Sequence, residues 1–157
     1  MRQWGGRFLA AVAALAGLPA VHAADFSAWN KTLSITFQGY GKAEALSNFP
    51  ALVAFNTAIT GFDYAQFLSG GNADLRFSDS TRTNELNCEI ESWDTNGTSY
   101  VWVQVPSLAD TNTQIRAFWG KAGQTAPAYA TNGATWYSNY CGVWNLYDSP
   151  TNSTNVV

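Results

Sequence analysis

The amino-acid sequence predicts an all-β protein, an antiparallel β-sandwich of jelly-roll-like form, entered through an N-terminal signal helix. Three observations predict it. Beyond residue 23 the chain is built from short runs in which apolar and polar side chains alternate. Clusters of Gly, Pro, Asn, Asp and Ser separate those runs at the spacing of sandwich strands. No segment past the leader holds a 3.6-residue apolar period long enough for a helix.

The leader comes first. Arg2 and Arg7 make a basic start, residues 8–18 are an unbroken small-apolar stretch, and Val21-His22-Ala23 puts small residues at the −3 and −1 positions. Cleavage after Ala23 is expected. The apolar stretch is shorter than the ~20 residues a membrane anchor needs. Nothing downstream is longer, so no transmembrane span is expected after signal removal. The expected location is outside the cytoplasm: periplasmic, cell-surface or extracellular. Removing the leader leaves 134 of the 157 residues. The whole chain carries a net charge of −3; two of its eight basic residues leave with the leader, so six against eleven acidic residues give −5. That balance lacks the basic footprint of a nucleic-acid binder, so nucleic acid is not an expected partner. The only histidine, His22, lies in the leader. The mature chain therefore has no Ser-His-Asp or Cys-His nucleophile system and no histidine-containing zinc site. Carboxylate chemistry stays open, but no cofactor and no metal is expected. Cys88 and Cys141 either pair in an oxidising compartment or remain separate thiols; spacing does not decide.

The elements follow in order. Leu33, Ile35 and Phe37 alternate with Ser34 and Thr36, the pattern of a half-buried strand. Residues 49–55 are apolar on both sides, as in an inner strand, and Pro50 suits a strand's start. Residues 62–67 fit a single helical turn, and Gly70-Gly71-Asn72 breaks the chain. Ala73, Leu75 and Phe77 then share one face, with Asp74, Arg76 and Ser78 on the other. After a polar turn at residues 79–84, Leu86, Cys88 and Ile90 face one way and Glu89, Glu91 and Trp93 the other. Asn96-Gly97 marks a hairpin, through the ease with which this pair takes positive φ. The return strand at residues 100–105 places Val101, Val103 and Val105 opposite Tyr100, Trp102 and Gln104, and Pro106 is expected to end it. A last strand covers residues 113–119. Residues 120–139, rich in Gly, Ala, Thr and Asn, are a linker or an irregular crossing segment.

Six short motifs in this order, Asn48-Phe49-Pro50, Phe62-Asp63-Tyr64, Ala73-Asp74-Leu75-Arg76-Phe77, Glu89-Ile90-Glu91-Ser92-Trp93, Val101-Trp102-Val103 with Val105-Pro106, and Phe118-Trp119-Gly120, resemble a bacterial family, the domain of unknown function numbered 2341. The resemblance covers roughly residues 29–121. Cys88 stands where the family often has an aromatic. From Cys141, Gly142-Val143-Trp144-Asn145-Leu146 with Asp148-Ser149 is similar to the opening strand of laminin-G/concanavalin-like jelly rolls, with Asn145 at a position that usually holds His. The expected layout is a signal peptide (1–23), the family-like sandwich (24–121), a linker (122–139) and the truncated start of a laminin-G-like domain (140–157), as in a fragment of a longer protein. The resemblance implies an exported β-domain, often beside a carbohydrate-binding-like sandwich and in some relatives fused to a MotA/TolQ/ExbB-type proton channel. It implies no activity.

Glu89, Glu91 and Trp93 recur at i, i+2 and i+4, one face of a strand. Carboxylates accept sugar hydroxyl hydrogen bonds and an indole covers an apolar sugar face. The same residues also suit a structural role, with Arg76 opposite Glu89 across the turn at residues 79–84. Tyr100, Trp102 and Gln104 form a platform if their face is open and core if a second sheet covers it; the filling a sandwich requires favours core. Asp94-Thr95-Asn96-Gly97 is oxygen-rich, as in part of a calcium loop, but a plain hairpin turn accounts for it. The expected function is a non-catalytic binding module of an exported or envelope protein. Its candidate ligand contacts are Trp93, Trp102, Glu89, Glu91 and Asp94, and a glycan or an envelope protein is the expected partner. The alternative is a structural or protein-interaction domain of a larger envelope assembly, such as the periplasmic part of a MotA/TolQ/ExbB-type proton channel protein.

Overall fold

The computed structural model describes residues 24–136. The residues expected to form a signal helix, Cys141 and the segment from residue 140 lie outside the described residues. Among the described residues seven strands form two antiparallel sheets. One holds β1 (Lys31–Thr36), β7 (Gln114–Trp119), β3 (Arg76–Asp79) and β4 (Glu85–Leu86), in that spatial order. The other holds β2 (Leu46–Phe55), β6 (Ser99–Leu108) and β5 (Cys88–Ser92). The first strand pairs with the last and the second with the next to last, a nested winding that fits a jelly-roll-like sandwich.

Alternation builds the core. Val101, Val103 and Val105 of β6, Ala51, Val53 and Phe55 of β2, and Ile115, Ala117 and Trp119 of β7 are all buried. Phe55 and Phe77 meet across the two sheets at 6.2 Å between ring centroids. Fully burying one such Val or Phe side chain contributes about 1.5–3 kcal/mol. Tyr100, Trp102 and Gln104 consequently point away from the other sheet. The expectation that they fill the core is overturned, because the valines opposite them take that place.

Three further readings change. Among the described residues β2 is an edge strand rather than an inner one, pairing only with β6, and Leu52 is 47% exposed on its outward side. Its edge position tolerates Pro50 within the strand, where an inner strand would not. β6 also runs on through Pro106 to Leu108, and the pairing skips the position where Pro106 faces Asn48. There Asn48 takes φ 50, a left-handed conformation that asparagine tolerates better than most residues.

Asp74, Arg76 and Ser78, expected on a polar face, are buried. Asp74 is fully buried, and its carboxylate accepts four backbone N–H groups: Leu68 at 3.0 Å, Ser69 at 3.3 Å, Gly120 at 2.9 Å and Lys121 at 3.0 Å. Gly120 reaches it at φ +81, and a Cβ there would crowd Lys31 at 3.3 Å. The Arg76 guanidinium donates to the carbonyls of Ala73, Leu75 and Thr125. Its ion pair is with Glu85 at 3.2 Å, not with Glu89. The chain leaves the first sheet at Asn87, between β4 and β5, so Glu89 stands in the other sheet, beyond the turn's reach.

Residues 120–136 cross the molecule rather than leave it. Thr125 is held by Arg76, Tyr129 donates its hydroxyl to Glu85, and the Asn87 side-chain amide donates to Ala134. Cys88 lies beneath this crossing, buried; desolvation pushes its thiol up to about 12. The first sheet's outer face is covered at β7 as well, where Phe26 stacks on Phe118 at 4.2 Å.

Candidate functional site

Among the described residues, nothing comparable covers the outer face of β2, β6 and β5 over Leu52, Ala54 and Tyr100; Tyr100 is 40% exposed. Pairing places Glu89 beside Trp102 and Ile90 beside Val101. The next pair is Ser92 with Tyr100, so Glu91 is an extra residue, a β-bulge. One inserted residue reverses the alternation beyond it. Glu89 and Glu91 remain on the outer side, Ser92 joins them, and Trp93 turns inward.

The expectation that Trp93 shares a face with the two glutamates is therefore corrected. Its ring meets Tyr64 at 5.3 Å and Phe67 at 5.1 Å, both edge to face. Those partners sit on the loop before β3, where Asp63 caps the 3-10 turn Tyr64–Gln66: its carboxylate accepts from Ala65 N–H and the Gln66 side chain accepts from Asp63 N–H. The Tyr64 hydroxyl donates to the Phe55 carbonyl at 2.8 Å and accepts from Ser99 N–H at 3.2 Å.

On the outer side the two carboxylates each hold an indole. Trp102 Nε1 donates to Glu91 Oε2 and Trp136 Nε1 donates to Glu89 Oε2, both at 3.0 Å. The Trp102 and Trp136 rings lie 5.2 Å apart at 57°. Trp136 was not among the residues singled out from the sequence. It sits in a Gly- and Thr-rich crossing segment with no periodicity, and a lone tryptophan there was its only signal.

The fifth candidate, Asp94, stands at the head of the β5–β6 hairpin. Its Oδ1 accepts from Asn96 N–H at 2.9 Å and its own N–H donates to Ser99 Oγ at 2.9 Å. The hairpin forms as expected, but neither Asn96 nor Gly97 takes positive φ. Gly97 instead leaves room for the Asp94 carboxylate, since a Cβ there would stand 2.4 Å from Asp94 Oδ2. Gly97→Ala is expected to push the Asp94 carboxylate off the turn and lower stability by about 1 kcal/mol, one hydrogen bond's worth, read by urea unfolding.

Glu91, Ser92, Trp93, Asp94 and Thr98 line an open pocket of about 420 Å³. That volume lies within the usual range for small-ligand sites. Glu91 thus joins the pocket at the strand's end to the indole pair on the sheet. The five candidate residues form a continuous region, with Trp93 a wall of the pocket rather than part of the flat face. The arrangement offers aromatic surface and carboxylate acceptors, the chemistry of recognition.

The chain belongs to the family described as Domain of unknown function (DUF2341). The match spans residues 71–154. It takes in the buried Asp74 and Arg76, strands β3 to β7 and the crossing segment; Asn48-Phe49-Pro50 and Phe62-Asp63-Tyr64 precede it. No family match shows the laminin-G-like opening after Cys141. No curated protein and no solved structure matches the chain. Among the described residues no helix is long and apolar enough to cross a membrane.

Proposed function

We propose that this DUF2341 chain is a non-catalytic glycan-binding module of an exported or envelope protein, and that the outer face of β2, β6 and β5 is its binding surface. The paired indoles of Trp102 and Trp136 carry this reading. They sit on the sheet face that stays open over Leu52 and Tyr100, each oriented by a carboxylate. Indole faces cover the apolar side of a sugar ring, and carboxylate oxygens accept its hydroxyls.

The test is a glycan array probed with the chain and two variants. Trp102→Ala is expected to weaken binding by about tenfold or more, close to 1.4 kcal/mol, with the unfolding midpoint nearly unchanged. Trp93→Ala is expected to do the reverse first: it opens a hole against Tyr64 and Phe67 and costs about 2 kcal/mol of stability. A folded chain that binds no glycan would contradict the proposal.

The second reading, a structural or protein-interaction domain of an envelope assembly such as the periplasmic part of a MotA/TolQ/ExbB-type channel protein, draws on the exposed Phe49 and Leu52 of edge strand β2. Edge strands with apolar side chains invite pairing with another chain. On that reading Leu52→Lys abolishes association and leaves no sugar affinity to lose.

A further inference from the structure

The charges of the sandwich are unevenly distributed. β2, β5 and β6 contain no lysine or arginine, and their only charged residues are Glu89 and Glu91. Asp94 extends the same sign onto the adjoining hairpin. Lys31, Arg76 and Arg116 stand on β1, β3 and β7, all strands of the other sheet. The open face and its pocket therefore present carboxylates and indoles with no cation from their own strands to balance them.

Resting on the glycan reading above, we infer that the saccharide bound here bears amines: a glucosamine-type oligomer, with a ring's C–H face against Trp102 and Trp136 and an ammonium received at the pocket between Glu91 and Asp94. Three features favour this class. Uronic or sulfated sugars would meet like charge. A neutral sugar would use the indoles and leave the net negative charge unmatched. An ammonium makes charge-assisted hydrogen bonds to carboxylates, about twice as strong as neutral ones, and is attracted to an indole face as well. The pocket, of about 420 Å³, has room for a sugar ring.

Calorimetric titration of the full chain with a glucosamine oligomer, its N-acetylated counterpart and a lysine oligopeptide tests the inference. Glu91→Gln and Asp94→Asn are the variants. Each keeps an acceptor oxygen for the Trp102 or Asn96 N–H it serves, so circular dichroism should match that of the parent chain. The glucosamine oligomer is expected to bind about tenfold tighter than the N-acetylated one at low salt. Each variant should erase that preference, as should about 1 M salt, which screens charges beyond roughly 3 Å. Equal affinity for the two oligomers, with binding still dependent on Trp102, overturns the amine preference and leaves the glycan reading standing. Tighter binding of the lysine peptide overturns it in favour of a basic protein partner. No saccharide binding at all overturns both.

Discussion

Asp74→Ala is expected to lower stability by about 3–5 kcal/mol, the cost of stripping a buried charge network of its centre. The carboxylate is fully buried and satisfies four backbone N–H groups, two from the loop before β3 and two from the turn after β7. Alanine leaves all four without an acceptor, and each buried unsatisfied group costs about 1–3 kcal/mol before relaxation. Asp74→Asn keeps one acceptor oxygen but turns an NH₂ toward donors, so an intermediate loss is expected. Urea denaturation reads both as a lower midpoint at unchanged slope. A midpoint within error of the parent chain for Asp74→Ala would show that the two loops do not depend on this carboxylate.

Arg76→Leu is expected to cost about 3 kcal/mol and to reach the candidate site as well. The guanidinium pairs with Glu85 and ties Thr125 of the crossing segment to β3. Leucine fills part of the volume but releases that tie and leaves Glu85 to the Tyr129 hydroxyl alone among its described partners. The crossing segment carries Trp136 to Glu89 and Trp102. Glycan affinity should therefore fall with stability, although Arg76 itself belongs to the other sheet. Urea unfolding and the same glycan titration, run on one preparation, check the two effects together. Lost stability with intact affinity would show that Trp136 is held by contacts other than the crossing segment's anchor.

How much of this was legible in the sequence varies from strand to strand, for physical reasons. In β6 the valines at 101, 103 and 105 mark the inner face without ambiguity, because that stretch of the strand carries no inserted residue and its alternation runs unbroken. In β5 the alternation holds as far as Ile90 and then misleads. An inserted residue leaves no trace in periodicity, and only the pairing of Ser92 with Tyr100 reveals it. Strict alternation puts Trp93 on the wrong side for that reason alone. Asp74 and Arg76 look like ordinary surface charges in the sequence, since the groups that justify their burial lie 46 and 49 residues further on. The same contacts give a structural reason for two motifs that carry the family resemblance: Asp74 in the first meets the backbone of Gly120 in the second. Trp136 lay in a segment with no pattern to read, and it became visible only once the chain folded back over the sheet.

The sidedness of β5 decides whether a recognition face exists at all, and cysteine scanning measures it directly. Glu89→Cys, Ile90→Cys, Glu91→Cys, Ser92→Cys and Trp93→Cys variants would each be timed against a thiol reagent, relative to the parent chain, whose Cys88 thiol is buried and held protonated at neutral pH. Fast labelling at positions 89, 91 and 92 with slow labelling at 90 and 93 is the predicted result. Fast labelling at 89, 91 and 93 with slow labelling at 90 and 92 would mean an unbroken alternation, and would contradict the bulge and the placement of the site built on it.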